Sequence, residues 1–216
     1  MCVSTTAKIE ITIGDSKTAK EQDVSFRNNT HIGRWLRRNS YDPKWSERSK
    51  LLLDLFVSAE LEDHKSYRIS EFGCGANAPF HSICRNDARF TVDKFDITSW
   101  DEMTRVCDLN NRDFAFSESD IGAFSGVLEY LNDVPDVLSR AIKAHQYLLV
   151  SYAFLPVSAK SSDSRYIEGV RRRSVQHGWR NHYSTEDMTR ILSEIGVISN
   201  VGMWDRSQSL FLIRRF

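Results

Sequence analysis

Apolar and polar positions along the chain divide it into helical and strand-like runs. Apolar side chains recur at helical spacing in three segments, which start at Asp42-Pro43, at Asp133 and at Ser184, the last ending at Gly196. Strand-like runs occupy residues 147–152, 197–204 and 209–216. The first of these is almost continuously apolar, as expected for a parallel strand covered on both faces, and the other two predict a hairpin. The pattern is typical of an α/β fold.

A strand-like run that begins at Tyr67 breaks into glycines and predicts strand, tight turn and helix over residues 67–80. Gly73 and Gly75 allow backbone angles and close approaches that a Cβ would block, and Pro79 suits a first helical position. Such a turn directs backbone N–H groups and a helix N-terminus at the crevice where open α/β sheets hold nucleotide-like ligands. We therefore expect a small molecule to bind here.

Two families bind their cofactors at a strand, glycine turn and helix of this kind. Residues 73–78, Gly-Cys-Gly-Ala-Asn-Ala, satisfy the dinucleotide pattern G-x-G-x-x-G/A. Glu71 extends the run to Glu-Phe-Gly-Cys-Gly, which resembles the first motif of the class I S-adenosylmethionine (SAM) dependent methyltransferases. Asn77 departs from that motif, since many relatives have a third glycine there. An ordinary Gly-rich turn after a core strand remains the alternative. The resemblance implies that the acid orders the loop and that three residues lie against the methionine half of the cofactor: Gly73, Cys74 and Gly75.

An acid at the end of the next strand predicts a ribose ligand. Residues 89–92 form a strand that ends at Asp93, 20 residues beyond Gly73, near the spacing of about 20 at which an acid meets a ribose in nucleotide-binding βαβ units. A carboxylate can accept from both ribose hydroxyls. We predict Asp93 as this ligand, with Asp96 as the competitor if the strand runs longer and a surface acid as the structural alternative.

Further along, the chain predicts a short helix at 101–105 and a brief strand that leads into a polar turn at 106–110. The resemblance implies that Asp108 accepts from the adenine amino group and that Leu109 covers the ring, although an aspartate here can also simply form the turn. Residues 125–130, Ser-Gly-Val-Leu-Glu-Tyr, resemble the fourth strand and following turn of these methyltransferases, and they place Ser125 at the methionine end.

Candidate catalytic groups lie just before the last helix. Relatives that act on small molecules and sugars often carry an element similar to Asn-His-Tyr-Ser at 181–184. His182 is the side chain that could remove a proton from a hydroxyl or ammonium acceptor, and Tyr183 could orient that acceptor. A histidine beside a helix start can instead satisfy backbone groups. His177 and His182 lack a supporting Cys or carboxylate pattern, so we predict no metal site.

Arginines near the N-terminus have two interpretations. The spacing Trp45-x-x-Arg48 resembles the leading helix of many small-molecule methyltransferases, which covers the cofactor pocket. The alternative, which we favour, is core packing by Trp45 with a surface Arg48. Arg34, Arg37 and Arg38 fit a solvated face and receive no role.

The amino-acid composition limits which classes of binding partner and which compartment can be argued for this protein. Among 216 residues, Lys plus Arg and Asp plus Glu number 29 each, so net charge gives no argument for nucleic acid or an anionic membrane. The four cysteines form no C-x-x-C pair, and neither a signal peptide nor an apolar run of membrane-spanning length is present. We expect a soluble cytoplasmic protein.

These observations predict one methyltransferase domain over residues 41–216, preceded by an N-terminal arm or hairpin at 1–40. The resemblance implies a Rossmann-like, mostly parallel seven-stranded sheet with helices on both faces and an antiparallel C-terminal strand. It also implies SAM as cofactor and a methyl acceptor that is a hydroxyl or amine of a small molecule or glycan. Two alternatives stay open: an NAD(P)-dependent oxidoreductase, and a cofactor-binding or interaction protein without catalysis.

Overall fold

The computed structural model describes residues 33, 35, 37–38, 41–153, 168–169, 172, 175, 178–205 and 208–216. Most of the N-terminal arm or hairpin predicted at 1–40 lies outside this part of the chain. The helices are α1 (Trp45–Ala59), α2 (Pro79–Cys84), α3 (Val134–Ala144) and α4 (Thr185–Ser193), with a 3-10 helix at Leu128–Tyr130. The strands are β1 (Tyr67–Phe72), β2 (Phe90–Asp96), β3 (Thr104–Val106), β4 (Ser119–Phe124), β5 (His145–Ala153), β6 (Gly196–Trp204) and β7 (Gln208–Arg215).

All seven strands form one sheet in the order β3-β2-β1-β4-β5-β7-β6. The first five strands pair in parallel, whereas β7 runs antiparallel to both β5 and β6. The strand order reverses between β1 and β4, and this switch point opens a crevice at the carboxyl edge of the sheet. The predicted fold class is confirmed, including the terminal hairpin.

Helices cover both faces of the sheet because successive strand residues alternate between them. On β1, Ile69 packs into a cluster with α1 and α2, and Phe72 packs into a second cluster with α3 and α4. On β5, Leu149 belongs to the first cluster and Leu148 to the second. The continuous apolar run in β5 therefore reflects burial on both faces, as predicted. None of the helices in the described part of the chain has the length and apolar character that crossing a bilayer requires.

Two of the predicted helix starts, Asp133 and Ser184, have side-chain caps. The Asp133 side chain accepts from the backbone N–H of Asp136, and Ser184 and Asp187 form a reciprocal capping box at α4. Gly196, however, begins β6 instead of ending α4. A Cβ at Gly196 would lie 2.5 Å from the carbonyl oxygen of Arg214, so this glycine permits close strand pairing.

The segment after β2 differs from the sequence prediction. In the segment 101–105, predicted as a short helix, residues 101–103 form a turn and residues 104–105 already belong to β3. Asp101 Oδ1 accepts from Met103 N at 3.1 Å and from Thr104 Oγ1 at 2.8 Å, while Oδ2 accepts from Lys94 Nζ. These side-chain hydrogen bonds give the backbone an alternative to a helix.

Candidate active site

The carboxyl ends of β1, β2 and β4 open into a cavity of about 580 Å³. This volume is in the range of small-molecule and cofactor sites, roughly 300–1,000 Å³. Its wall consists of Trp35, Arg37, Arg38, Tyr41, Trp45, Arg48, Gly73, Cys74, Gly75, Ala76, Pro79, Asp96, Ile97, Trp100, Cys107, Asp108, Leu109, Asn110, Ser125, Gly126, Val127, Glu129, Tyr130, Leu131, Asn132, Gly178, Trp179, Arg180 and Gln208.

The glycine loop after β1 forms one wall of this cavity. Gly73 and Gly75 have positive φ angles of 68° and 60°, which L side chains rarely adopt. A Cβ on Gly73 would lie 2.7 Å from Val127 Cγ2, so that glycine lets the loops after β1 and β4 meet. A Cβ on Gly75 would meet nothing within 4 Å. The open space beside Gly75 fits a cofactor that lies directly against the backbone.

Glu71 holds the loop from the buried side. Its side chain is buried, and its two carboxylate oxygens accept from Phe80 N at 3.0 Å and from His81 N at 3.1 Å, at the start of α2. The carboxylate satisfies two N–H groups that a helix N-terminus leaves without intrahelical partners. Glu71 does not line the cavity, and its hydrogen bonds hold the start of α2, directly after the glycine loop.

The buried Glu71 should make stability depend on pH. Burial raises the pKa of Glu71 from 4.5 to about 8. The folded state therefore keeps this proton to a higher pH than the unfolded chain, and folding stability falls as pH rises from about 4.5 to about 8. Glu71→Gln removes this titration. We expect the unfolding free energy of the wild type, minus that of the variant, to decrease by at least about 1 kcal/mol across this window.

Urea unfolding at several pH values measures this difference. Glu102→Gln, at an exposed position, is the matched control and should give a difference that stays flat with pH. A flat difference for Glu71→Gln as well would contradict the prediction.

The ribose ligand predicted from the sequence needs correction. Strand β2 continues three residues past Asp93, and Asp93 lies in mid-strand opposite Ser70, with Oδ2 accepting from Arg68 Nε at 2.6 Å. Asp96 ends the strand and lines the cavity, whereas Asp93 does not. Residues three apart in a strand face opposite sides of the sheet, so only one of the two acids can reach this site. Of the two candidate acids, the structure therefore places Asp96, the competitor, at the cavity.

Asp96 is tied directly to the glycine loop. Its Oδ2 accepts from Gly75 N at 2.8 Å and its Oδ1 accepts from Thr98 N at 3.3 Å. Burial raises the pKa of Asp96, and these backbone donors partly oppose the shift. Each carboxylate oxygen has more than one acceptor site, so the group can still accept from a ligand.

The predicted adenine-end residues, Asp108 and Leu109, both line the cavity next to Cys107. Asp108 Oδ1 accepts from Asn110 N at 2.9 Å, so this acid also forms the turn that was its alternative role. Leu109 is buried and presents an apolar surface to the site. The structure thus brings these two residues to the same edge of the sheet as Asp96.

Arg48 is the main residue that the sequence interpretation missed. It was expected at the surface, yet it is only 6% exposed and lines the cavity. Its Nε donates to Ser125 Oγ at 3.0 Å, its Nη2 to the Ser125 carbonyl at 3.1 Å and its Nη1 to Gln208 Oε1 at 3.0 Å. Burial lowers the pKa of Arg48. The predicted residue Ser125 is therefore at the cavity, fixed by the guanidinium.

The Arg48 guanidinium can lie against the loop after β4 only because residue 126 is a glycine. A Cβ there would lie 2.3 Å from Arg48 Nη2, and Gly126 has a positive φ of 71°. The spacing of Trp45 and Arg48 was a sequence signal for this arrangement, since both residues line the cavity. Arg37 and Arg38, which were given no role, also line it, and Arg38 Nη2 donates to the Trp100 carbonyl at 2.8 Å.

The structure does not bring the predicted catalytic pair, His182 and Tyr183, to the cavity wall. Asn181 fixes this segment, because its Nδ2 donates to the carbonyls of Leu128 and Leu131 at 2.8 Å each. Tyr183 packs against the core cluster of α3 and α4, and its backbone N–H donates to a tyrosine hydroxyl of β5. Trp179 and Arg180 line the cavity instead. Neither predicted catalytic residue lines the cavity, so their catalytic roles stay predictions.

The strand order, the reversed β7 and the glycine loop at the switch point define the fold of the class I SAM-dependent methyltransferases. Solved structures of such proteins superpose on the chain. An O-methyltransferase family protein from Burkholderia thailandensis has a TM-score of 0.61 at 13% identity, over 90% of this chain and 62% of its own. The chain thus spans less than two thirds of that protein.

Two further structures cover more of their own length. Magnesium protoporphyrin IX methyltransferase from Synechocystis PCC 6803, with S-adenosylhomocysteine (SAH) bound, gives a TM-score of 0.57 at 14% identity over 91% of this chain and 100% of its own. An O-methyltransferase family 2 protein from Planctomyces limnophilus, in complex with apigenin, gives a TM-score of 0.55 at 11% identity. The match covers 90% of this chain and 69% of that protein. No family model matches the sequence, and no curated protein matches it. At these identities the comparisons establish the fold.

Proposed function

We propose that this protein is a SAM-dependent methyltransferase that acts on a small molecule. The observation that carries the proposal is the contact between Gly75 N and Asp96 Oδ2, at 2.8 Å, inside the cavity at the switch point of a methyltransferase fold. It joins the backbone that would lie against the methionine half to the acid that would accept from the ribose. The SAH bound to the Synechocystis neighbour supports the choice of cofactor.

The proposed cofactor would supply an electrophilic methyl group on a sulfonium. The residues of this chain hold it and exclude water, which is the larger part of catalysis for an in-line displacement. Asp96 would accept from the ribose, Asp108 and Leu109 would hold the adenine, and Ser125 would lie at the methionine end. Arg48 keeps Ser125 in place through two hydrogen bonds.

The cavity wall favours a small acceptor with a flat or apolar surface. Trp35, Trp45, Tyr130 and Trp179 line it, and Trp35 contacts Tyr130 with ring centroids 5.0 Å apart. Aromatic side chains bind rings and sugar faces through large apolar contacts. We propose a hydroxyl or amine of a small molecule or glycan as the methylated group. The name O-methyltransferase carried by two of the neighbours supports the hydroxyl.

The three described cysteines support a reducing compartment. Cys74, Cys84 and Cys107 are free and buried, and burial raises the pKa values of Cys84 and Cys107 to about 12. Thiols of this kind are protonated and unreactive at neutral pH. We propose a cytoplasmic location on this ground.

Calorimetric titration with SAM, SAH and NAD tests the function. We expect SAM and SAH to bind and NAD to show no saturable binding, because the antiparallel β7 belongs to the methyltransferase fold.

An NAD(P)-dependent oxidoreductase is the second candidate, since an acid at the end of β2 also suits the ribose of NAD. Binding of NAD in place of SAM would overturn the proposal. SAM binding without methyl release to any of a panel of hydroxyl and amine acceptors would favour a non-catalytic binding protein.

A further inference from the structure

Glu129 is a buried carboxylate in the cavity wall with no role so far. It lies in the 3-10 helix that follows β4, and it is only 2% exposed. Its Oε1 accepts from Ala153 N, the last residue of β5, at 2.8 Å. The side chain is therefore fixed at the carboxyl edge of the sheet, beside β4 and β5.

The second carboxylate oxygen, Oε2, is buried and has no hydrogen-bond donor among the described residues. The nearby cation, Arg48, donates instead to Ser125 and Gln208, which are neutral. Burying a carboxylate oxygen without a donor costs free energy, and such a group is expected to have a functional reason. An acceptor of this kind, nearly fully buried in a ligand cavity, is suited to a donor that arrives with the ligand.

The position of Glu129 along the sheet edge indicates which part of the ligand brings that donor. Asp96 ends β2, the glycine loop follows β1, Ser125 follows β4, and Glu129 binds the end of β5. Neighbouring strands lie about 4.8 Å apart, so β2 and β5 are separated by roughly 14 Å. On the proposed function, the nucleoside lies at the β2 end. The reacting end then lies toward β4 and β5, where Glu129 is.

We propose that Glu129 Oε2 accepts the hydrogen bond of the methyl acceptor's O–H or N–H and takes its proton. As the acceptor's lone pair forms the bond to the methyl carbon, the electrons of the carbon–sulfur bond return to sulfur and the proton passes to Oε2. The products are the methylated acceptor, a neutral thioether and protonated Glu129, so charge and atoms balance. This inference rests on the proposed function and adds the group that receives the proton.

The surroundings of Glu129 suit this role. Burial raises the pKa of Glu129, which strengthens the carboxylate as a base, while backbone hydrogen bonds and the charge of Arg48 oppose that shift. Among the described residues, Tyr152 is another titratable group whose pKa this charge affects. A carboxylate here repels an anionic acceptor, so the inference selects hydroxyls and amines and excludes acceptors methylated on a carboxylate.

Calorimetry with two cofactor analogues tests the inference without knowledge of the acceptor. Sinefungin carries an amine where SAM carries the methyl group, and SAH carries nothing there. We expect the wild type to bind sinefungin about 10- to 100-fold more tightly than SAH, because a carboxylate at that place binds an ammonium. In Glu129→Gln, which keeps the acceptor for Ala153 N, this ratio should fall close to 1 while the SAH affinity changes less than about twofold.

Glu186→Gln, at an exposed position of α4, is the matched control and should keep the wild-type ratio. If Glu129→Gln does not fold, Glu129→Asp provides the same comparison, since the shorter side chain withdraws Oε2. A ratio unchanged in the Glu129 variant would overturn the inference. Equal weakening of both analogues would also overturn it, because that result places Glu129 at the amino-acid end that they share. If the wild type binds neither analogue, the proposed function fails and the inference fails with it.

Discussion

Replacing Asp96 by asparagine is expected to weaken binding of SAM and SAH by about 10- to 100-fold, since it exchanges charge-assisted hydrogen bonds for neutral ones. The oxygen of the new amide can still accept from Gly75 N, so the glycine loop keeps its contact. The amide has one acceptor oxygen where the carboxylate has two, and one of the ribose hydroxyls then faces a donor. Calorimetric titration with SAH measures the effect without turnover.

Asp93→Asn is the matched control for this experiment. Asp93 forms a partly exposed ion pair with Arg68 and lies away from the cavity, so we expect the SAH affinity to change less than about twofold.

The pH dependence of cofactor binding separates the two acids further. Burial raises the pKa of Asp96, so the wild type should lose affinity as pH falls, starting at a higher pH than an ordinary aspartate would give. Asp96→Asn should remove this dependence. An affinity loss in Asp93→Asn as large as that in Asp96→Asn would contradict our assignment.

The exchange of Asp93 for Asp96 illustrates what the sequence can and cannot specify about a strand. The spacing from Gly73 located the right strand, since a βαβ unit has a nearly fixed length. The end of the strand depends on pairing with β3, where Asp96 lies opposite Val106. That pairing joins segments whose own patterns were ambiguous, and residues 101–105 were predicted as a helix. The sequence therefore identified two acids, and tertiary pairing decides which of them lines the cavity.

Local features of the site could be predicted more fully than distant ones. Glu71 and the two glycines act within a single strand, turn and helix, so the glycines indicated the turn and the family resemblance implied the role of Glu71. Arg48, by contrast, bonds residues 77 and 160 positions away, and its burial depends on how α1 packs over the ends of β4 and β7. Helical periodicity indicates which face is apolar, but it does not show that a charged residue finds buried acceptors.

The catalytic predictions had the same weakness. The motif around His182 supplied suitable chemistry, but contacts of Asn181 with the 3-10 helix after β4 decide which of its residues line the cavity. Glu129 belongs to that same 3-10 helix and was read only as part of a family motif. Trp35, Arg37 and Arg38, which precede the domain boundary predicted at residue 41, also line the cavity.

Replacing Gly73 by alanine is expected to destabilise the fold by about 2–4 kcal/mol. Its φ of 68° costs an L side chain roughly 1–2 kcal/mol, and the added methyl would lie 2.7 Å from Val127 Cγ2 and 2.9 Å from Val127 Cβ. The second contact involves a carbon attached directly to the backbone. Relief therefore requires the loops after β1 and β4 to separate, and not only a change of side-chain rotamer. Urea unfolding of the two proteins measures the loss.

Gly75→Ala separates backbone strain from this contact. Its φ of 60° is similar, but its Cβ would meet no atom within 4 Å, so we expect a stability loss of only about 1–2 kcal/mol. The methyl group would instead occupy the space next to the backbone where the cofactor is proposed to lie, and SAH affinity should fall by at least about 10-fold. The two glycines, two residues apart, thus have different functions: Gly73 permits the contact between two loops, and Gly75 leaves room for the ligand. Equal stability losses in both variants, with SAH affinity retained in Gly75→Ala, would contradict this division.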